Sequence, residues 1–371
     1  MNDKIGVIGL GRLGFCWALT LEKVGYNVIG CDIDGTKIDA IKSKTFKTRE
    51  PYVEQGLLKS SNLSATTELH NVLAEADILF AVVRTDSKDD GKFDHSQLDA
   101  LVANLISIGR QNRTKHFVIC SNVMPGYSDT VYDRLKDLNY TVSYNPELVA
   151  QGRIMQDYES PDMVIIGEGN SDAGDILERI HNRICSKAII HRMSRKSAEI
   201  FKVSLNCFLT TKITFANIVG DAALNAGAEP DKILSALGDD SRIGKKYFSH
   251  GFGYGGPCLP RDNDAFIQFA ESAGINPMIS KAVVESNKLH LDYQVEQFCK
   301  THDIDTEVVM PYVTYKPGVT ILTESQQLFF AVALAKRGYK IIIKDHPEVI
   351  SQVSEKYGNL FYYGEIVAEH P

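Results

Sequence analysis

The segment that most constrains the fold of this chain runs from Lys4 to Asp32 and reads KIGVIGLGRLGFCWALTLEKVGYNVIGCD. A short apolar strand leads into a GxGxxG turn, an apolar-rich helical stretch ends at Gly25, and a second apolar strand closes on an acidic residue. Glycines at that spacing permit a tight turn, close approach of a pyrophosphate, and close packing of helix on strand. The segment therefore predicts a βαβ unit that binds a dinucleotide.

The acidic residue that ends the second strand indicates which dinucleotide is bound. A carboxylate at Asp32 can accept hydrogen bonds from both ribose hydroxyls but repels a 2′-phosphate, so we expect NAD rather than NADP. Arg12 lies close enough in sequence to accommodate such a phosphate, although its simpler interpretation is a solvated turn residue. The cofactor contacts predicted within this unit are Gly9, Gly11, Arg12, Leu13, Gly14, Asp32 and Lys37.

Strand and helix patterns continue to alternate beyond this unit. The predicted strands are Ile78 to Val83, Phe117 to Cys120 and Met163 to Ile166, and the predicted helices are Ile38 to Lys42, Gln97 to Gly109 and Tyr127 to Leu138. Such alternation is typical of a mostly parallel sheet whose ligands lie beyond the carboxyl ends of the strands. The predicted fold class is α/β, with an amino-terminal Rossmann domain.

Length and composition limit the remaining possibilities. A chain of 371 residues suits two or three domains, and a net charge of −7 argues against a nucleic-acid partner. No run of 18 apolar residues is present, and the first strand begins by Lys4 without a signal peptide, so we expect a soluble, cytoplasmic protein with no membrane partner. The seven cysteines are scattered without CxxC spacing, so we expect neither a disulfide framework nor a metal site.

One long helix is predicted from Ser194 to Ala226, a segment without proline. Its polar residues recur every three or four positions and form one stripe, Glu199, Lys202, Asn206, Thr210, Thr214, Asn217 and Asp221. A solvated face is the ordinary interpretation of such a stripe. Lys202 and Asn206, however, are four residues apart and can present an ammonium and an amide to the same oxygen atom.

A glycine-rich loop from Gly251 to Asp262 reads GFGYGGPCLPRD. Its glycines can lie against a ligand, and the prolines on either side of Cys258 hold the thiol on stiff, non-helical backbone. Arg261 and Asp262 add a permanent cation and a carboxylate, which can activate a thiol or move a proton. The alternative interpretation is a surface turn that carries a structural cysteine.

This loop resembles GxGFGGxCxxKD, the catalytic loop of the UDP-glucose and GDP-mannose dehydrogenase family. Further resemblances are EPYVEQGL at 50–57, VRTD at 83–86, the segment 121–126, NPELVAQG at 145–152, and the KxxxN pair of the long helix. Three residues depart from the family pattern. Asn122 stands where the family has threonine, Arg84 where it has proline, and Gln151 where it has glutamate.

The resemblance implies an NAD-dependent nucleotide-sugar 6-dehydrogenase that oxidises a C6 alcohol to an acid through a cysteine adduct. The implied catalytic residues are Cys258 as nucleophile, Lys202 and Asn206 for oxyanions, and Asp262 and Glu147 for water and protons. Two more implied cofactor contacts are Thr85 and Ser121. The substrate contacts expected are Arg242, Phe252, Gly253, Gly255, Arg261 and Lys316. In the family the arginine that Arg242 matches reaches into a neighbouring subunit, which implies a homodimer.

The last segment has a second βαβ pattern, predicted as a strand from Glu307 to Tyr312, a helix from Thr323 to Lys336, and a strand from Tyr339 to Lys344. It resembles the family's nucleotide-sugar domain, with Lys316 in a motif like FKP. Thr323 replaces an arginine, and the domain is expected to be a shortened Rossmann-like one. The predicted domains are residues 1–193, which bind NAD, 194–300, which are helical and carry the cysteine loop, and 301–371.

Two other classes remain open from the sequence. A two-electron dehydrogenase of the hydroxyacid or 6-phosphogluconate type shares a Rossmann unit and a long helix but needs no loop cysteine. A degenerate nucleotide-sugar binder without turnover is the other possibility, because of the departures at Asn122, Gln151 and Thr323. Neither the nucleotide nor the sugar of the substrate follows from the sequence.

Overall fold

The structure, a computed structural model, describes residues 4–364. They divide into two compact units, one that ends at Lys202 and one that begins at Val203, called here the first and second units. The boundary lies within the long helix, and the predicted central and carboxyl-terminal domains, apart from residues 194–202, belong to the second unit. The division into three domains stays a prediction.

The first unit is built on an eight-stranded sheet. Its strands are β1 (Lys4–Ile8), β2 (Asn27–Cys31), β3 (Leu63–Thr66), β4 (Ile78–Ala81), β5 (Lys115–Ile119), β6 (Tyr140–Tyr144), β7 (Met163–Glu168) and β8 (Ile189–Ser194). They lie in the order β3-β2-β1-β4-β5-β6-β7-β8, and every neighbouring pair is parallel except β6 and β7. The predicted parallel Rossmann sheet is confirmed, and its strand order reverses between β1 and β4.

Helices cover both faces of this sheet. They are α1 (Arg12–Lys23), α2 (Gly35–Lys42), α3 (Val53–Lys59), α4 (Leu69–Glu75), α5 (Ser96–Ile108), α6 (Tyr127–Leu135), α7 (Ile154–Glu159) and α8 (Ser171–Ile184). Successive strand residues alternate between two cores, so Phe80 and Val118 pack on one face while Leu79 and Phe117 pack on the other. Because both faces are buried, the strands read as continuous apolar runs.

The second unit contains most of the long helix, α9 (Arg195–Asn225), and a small parallel sheet. Its other helices are α10 (Pro230–Asp239), α11 (Leu259–Ser272), α12 (Met278–Thr301), α13 (Gln326–Lys336) and α14 (Pro347–Tyr357), and its strands are β9 (Glu307–Met310), β10 (Lys340–Lys344) and β11 (Tyr362–Gly364). The sheet order is β11-β10-β9. Helix α13 begins three residues later than predicted, because the Ser325 hydroxyl accepts a hydrogen bond from the Leu328 N–H and caps it.

On α9, polar side chains are buried and large apolar side chains are exposed, which is the reverse of a solvated polar stripe. Glu199 and Thr210 from the polar stripe are fully buried, whereas Phe208 and Phe215 are 64% and 54% exposed. The solvated-face interpretation is therefore wrong for these two residues, since Glu199 accepts from the N–H groups of Gly126 and Ser128 and the Thr210 hydroxyl donates to the Cys207 carbonyl oxygen. None of the described helices combines the length and the apolar character that crossing a membrane requires.

Candidate functional site

The turn after β1 uses its three glycines for different purposes. Gly9 has φ +92°, and a Cβ there would lie 2.5 Å from the Val82 carbonyl oxygen. A Cβ at Gly14 would clash with the Gly9 carbonyl oxygen, which is why α1 can pack so close to the turn. Gly11, just before α1, would meet nothing within 4 Å. The open side of the turn thus lies at the helix N-terminus, where backbone N–H groups attract phosphate.

Asp32 is fixed beside this turn at the end of β2. One of its carboxylate oxygens, Oδ2, accepts hydrogen bonds from the Leu10 N–H at 2.8 Å and from the Lys37 ammonium at 2.8 Å. The other, Oδ1, accepts from the Asp34 N–H at 3.0 Å. The structure therefore brings Asp32 and Lys37, two of the predicted cofactor contacts, into one ion pair at the expected end of the strand.

Arg12 and Glu50 connect the first helix to the loop after β6. The Arg12 guanidinium donates to the Gln151 side-chain oxygen at 2.7 Å, and both Glu50 carboxylate oxygens accept from the Gly152 N–H, at 3.0 and 2.9 Å. Gln151, one of the departures from the family pattern, thus serves as a neutral acceptor for Arg12. The Arg12 side chain is 47% exposed, and its role as a cofactor contact stays a prediction.

The carboxyl ends of β4 and β5 meet as the parallel sheet predicts. The Ser121 hydroxyl, two residues after β5, donates to the Val83 carbonyl oxygen at 2.6 Å. Thr85 is buried on the neighbouring segment. These two predicted cofactor contacts therefore follow adjacent strands of the same sheet.

Glu147 lies on the loop after β6, and the pKa of its carboxyl is shifted far from the ordinary value. The protein around its carboxyl raises its pKa to about 7, chiefly by desolvation. The Tyr158 hydroxyl, the Lys202 charge and the Cys120 thiol oppose that rise. A carboxyl that titrates near neutrality can exchange protons at physiological pH, as a general base must.

Glu199, which the sequence assigned only to the polar stripe of α9, holds the segment that follows Ser121. Its carboxylate accepts hydrogen bonds from the N–H groups of Gly126 and Ser128 and so holds the start of α6, directly after the segment 121–126. Burial raises the pKa of this carboxyl. No sequence signal could have identified the pair, because more than seventy residues separate the partners.

In the second unit, the exposed Cys258 is the residue immediately before α11, at its N-cap position. The sequence placed it on non-helical backbone, within a loop predicted to run from Gly251 to Asp262. That boundary is wrong, because α11 begins at Leu259 and Pro260 lies in its first turn, where the missing N–H of a proline leaves no hydrogen bond unmade. Cys258 therefore lies at the positive end of a helix dipole.

Two predicted catalytic residues of the second unit are directly hydrogen-bonded. The Asn206 side-chain amide donates to the Asp262 carboxylate oxygen Oδ2 at 2.6 Å, and Asp262 is fully buried. The Arg261 guanidinium lies 3.7 Å from the other oxygen, Oδ1. The Asp262 N–H also bonds the Cys258 carbonyl oxygen at 3.0 Å, so the acid is held one helical turn from the thiol.

The glycines of the cysteine loop are packed against protein. A Cβ at Gly253 would clash with the Asn287 side chain, and a Cβ at Gly255 would clash with the Glu324 carbonyl oxygen. The Asn287 amide also bonds both backbone groups of Tyr254, at 2.9 and 3.0 Å. Substrate contact by Gly253 and Gly255 stays a prediction, but close packing already explains why glycine stands there.

The remaining predicted substrate contacts lie in three different surroundings. Arg242 is largely exposed and pairs with Asp240 at 2.7 Å. The Phe252 ring packs edge-on against Phe330, with centroids 5.7 Å apart, beside the core of the small sheet. The Lys316 ammonium lies 5.6 Å from the centroid of the adjacent Tyr315 ring.

Comparison with protein families decides the classification. The NAD binding domain of the UDP-glucose/GDP-mannose dehydrogenase family matches residues 3–185, and the central domain of the same family matches residues 196–289. The chain belongs to the UDP-glucose/GDP-mannose dehydrogenase family. It is therefore an NAD-dependent enzyme of the nucleotide-sugar dehydrogenase family.

The relatives of this chain are named for different nucleotide sugars, some with GDP and some with UDP. GDP-mannose 6-dehydrogenase of Pseudomonas putida is 29% identical over 360 residues, which are 92% of this chain and 80% of the relative. UDP-glucose 6-dehydrogenase YwqF of Bacillus subtilis is 26% identical over 99% of this chain and 84% of its own length. A UDP-glucose dehydrogenase structure from Pyrobaculum islandicum superposes with a TM-score of 0.87 at 29% identity, over 98% of this chain and 86% of that one.

Proposed function

We propose that this enzyme carries out a four-electron oxidation, converting the C6 alcohol of a nucleotide sugar to a carboxylate with two NAD per substrate. The supporting observation is the exposed Cys258 at the N-terminus of α11, with the hydrogen-bonded pair Asn206 and Asp262 one turn further along. A two-electron dehydrogenase has no use for a thiol so placed. A sulfur adduct retains the aldehyde between two oxidations and divides one difficult step into two easier ones.

The residues after β1 fit a bound dinucleotide. Gly11 leaves open space beside the N-terminus of α1, and Asp32 offers a fixed carboxylate at the end of β2 for ribose hydroxyls. When bound, NAD supplies the hydride acceptor for each of the two oxidations. Gly9, Gly11, Gly14 and Asp32 would hold it, with Thr85 and Ser121 following neighbouring strands.

The chain's own residues account for the other steps. The first oxidation leaves an aldehyde, and the Cys258 sulfur adds to its carbon to give a thiohemiacetal. The second oxidation converts that adduct to a thioester, which water cleaves to the carboxylate with release of the thiolate. Lys202 and Asn206 would stabilise the oxyanions of these adducts, while Glu147, with its pKa of about 7, and Asp262 would accept and return protons.

We also propose that the enzyme works as a homodimer that covers the apolar face of α9. The large apolar side chains exposed along that face are Phe208, Phe215 and Ile218. Exposed apolar groups clustered on one helix are typical of an interaction surface. Light scattering should give twice the chain mass, and the double variant Phe208→Asp, Phe215→Asp should give a monomer, whereas Asn225→Asp on the same helix should not change the mass.

The catalytic proposal is tested by stoichiometry with a panel of UDP- and GDP-linked hexoses and their N-acetylated forms. Purified enzyme, excess NAD and a limiting sugar nucleotide should yield two NADH per substrate, and mass spectrometry should find the product 14 Da heavier, the change from CH₂OH to COOH. One NADH per substrate would support the two-electron alternative. No turnover on any member of the panel would support a binding protein without activity.

A further inference from the structure

Three side chains with metal-binding atoms converge in the second unit, apart from the proposed catalytic residues. Asp221 lies on α9, His250 precedes the cysteine loop, and His290 lies on α12. The Asp221 oxygen Oδ1 is 2.9 Å from His250 Nε2, and Oδ2 is 2.6 Å from His290 Nδ1. One ligand atom from each residue lies within 4.8 Å of the other two. A carboxylate is thus held between two imidazoles.

The hydrogen bonds of His290 require a positive charge in this cluster. Its Nε2 is 2.7 Å from the Gly251 carbonyl oxygen, which can only accept, so Nε2 must carry the hydrogen. In a neutral imidazole the other nitrogen then presents a lone pair, and here it faces a carboxylate oxygen. Two acceptors do not approach so closely in a buried place unless a cation joins them. That cation is either a proton shared between the ring and the carboxylate or a metal ion.

The surroundings favour the metal ion. An imidazole that donates one N–H to a backbone carbonyl has the tautomer and orientation that metal-binding histidines generally have. Two histidine nitrogens and one carboxylate oxygen form the donor set of zinc sites with three protein ligands, and the fourth position is then left for water. The side chains of Asp221 and His250 are 16% and 18% exposed, which leaves access for an ion and for that water.

We propose that Asp221, His250 and His290 bind one divalent transition-metal ion, with Zn²⁺ the best match to the donors. Bonds of roughly 2.0–2.2 Å place the ligands of a tetrahedral ion about 3.3–3.5 Å apart, so the carboxylate oxygens need to withdraw by less than about 1 Å. The ion would replace the hydrogen bonds that now join the three side chains.

The site would act on the cysteine loop through Gly251. The Gly251 carbonyl oxygen accepts from His290 Nε2 and, at 3.1 Å, from the Gln294 amide, while its N–H bonds the Asn217 side chain at 3.0 Å. A metal ligand at His290 would hold that carbonyl group in place. The first residue of the loop that carries Cys258 would thereby be fixed to both α9 and α12.

The test is direct titration of the full chain with Co²⁺, which reports its own coordination by visible absorption. A Cys258→Ser background removes the exposed thiol as a competing ligand, and a chelator followed by dialysis removes any metal already bound. We expect one Co²⁺ per chain, a spectrum without an intense sulfur charge-transfer band, and displacement by Zn²⁺. Absence of saturable Co²⁺ binding would overturn the proposal and leave the proton as the cation.

Variants locate the ion. Asp221→Asn and His290→Ala should each weaken Co²⁺ binding by at least about 10- to 100-fold, since loss of even a supporting residue has that effect. His250→Gln is the more conservative variant, because its position is more exposed and an amide can still donate to Asp221. It should lose Co²⁺ to a similar extent while its melting temperature without metal stays close to that of the parent.

The matched control is His191→Ala, an exposed histidine on β8 of the first unit. It should bind Co²⁺ like the parent. Equal binding in the parent and in all three cluster variants would place the ion elsewhere and overturn the proposal. Loss of binding in His191→Ala would overturn it as well.

Discussion

The glycine turn after β1 and the cysteine loop before α11 are both glycine-rich, and both lead into the first turn of a helix. They differ in what lies against the glycines. At Gly11 the turn has open space, whereas Gly253 and Gly255 of the loop fit against Asn287 and Glu324. The turn packs through Gly9 and Gly14 against Val82 and its own backbone, and it leaves room for a ligand at Gly11. The loop is shaped by residues far along the chain, and glycine serves mainly to let them approach.

The largest expected effect is on the rate of acid production, which depends on the cysteine loop and not on the glycine turn. Cys258→Ser should lower acid production by roughly a thousandfold or more, because the weaker hydroxyl nucleophile cannot retain the aldehyde. NAD affinity, which depends on the glycine turn, should stay unchanged in a calorimetric titration. Cys299→Ser on α12 is the control and should keep the parent rate. An unchanged rate in Cys258→Ser would refute the covalent mechanism.

The next largest effect is the dependence of folding stability on pH that Glu147 produces. Its folded-state pKa of about 7 is raised above the ordinary value of 4.5, so the folded protein holds this proton more tightly than the unfolded chain does. The contribution of Glu147 to stability is therefore fully present below about pH 4.5 and is lost as the pH rises through 7, a change of up to about 3 kcal/mol.

Urea unfolding at several pH values tests this expectation. Glu147→Gln should lose less stability than the parent between pH 5 and pH 8, because a neutral amide carries no proton to release. If Glu147 is the base of the reaction, the parent rate should also rise through about pH 7 and the variant rate should be low throughout. Equal stability profiles in parent and variant would show that the Glu147 carboxyl titrates in its ordinary range.

A pair of alanine substitutions tests the contrast between the two glycine-rich segments. Gly255→Ala should lower the free energy of unfolding by about 1–3 kcal/mol, because the new methyl group meets the Glu324 carbonyl oxygen. Gly11→Ala should change it by less than about 0.5 kcal/mol, since nothing lies within 4 Å, and should instead weaken NAD binding. Thermal unfolding and NAD titration of both variants measure the two effects. The reverse result would show that the turn, and not the loop, is the tightly packed segment.

The smallest effect sharpens the assignment of the cofactor. Asp32→Ala should weaken NAD binding by about tenfold through loss of hydrogen bonds to the ribose. It should also narrow the preference for NAD over NADP, because Lys37 would then be available to a 2′-phosphate. Asp39→Ala, an exposed acid on α2, should have neither effect. The preference is read from the ratio of NAD to NADP affinities.

The sequence predicted best those parts of the molecule whose causes are local. The strand, turn and helix within residues 4–32 form one contiguous unit, and the second βαβ pattern near β9 and β10 was equally readable. Strands β3, β6 and β8 were not predicted. The start of α11 was misplaced because Pro260 was taken to exclude a helix, whereas a proline in the first turn is compatible with one.

Pairs that meet across long stretches of chain could not be read from the sequence. Glu199 with Gly126, Asn206 with Asp262, and Asn287 with Tyr254 depend on how the elements pack, and no local spacing encodes them. The polar stripe of α9 was visible as a pattern, but a helical period alone does not tell whether such a stripe faces water or partners inside the fold.

The inward polar face of α9 limits the insertions and deletions that the helix can accept. Asn206 and Thr210 bond the adjacent residues Asp262 and Asn263 of α11, whereas Asn217 bonds the Gly251 N–H and Asp221 bonds His250. Deleting one residue between Thr210 and Asn217 would rotate one end of this segment by about 100° against the other and take half of these bonds out of reach. Lineages descended from this chain should accordingly vary the side chains on the outer surface of α9 freely among apolar types, while the number of residues from 206 to 221 stays constant.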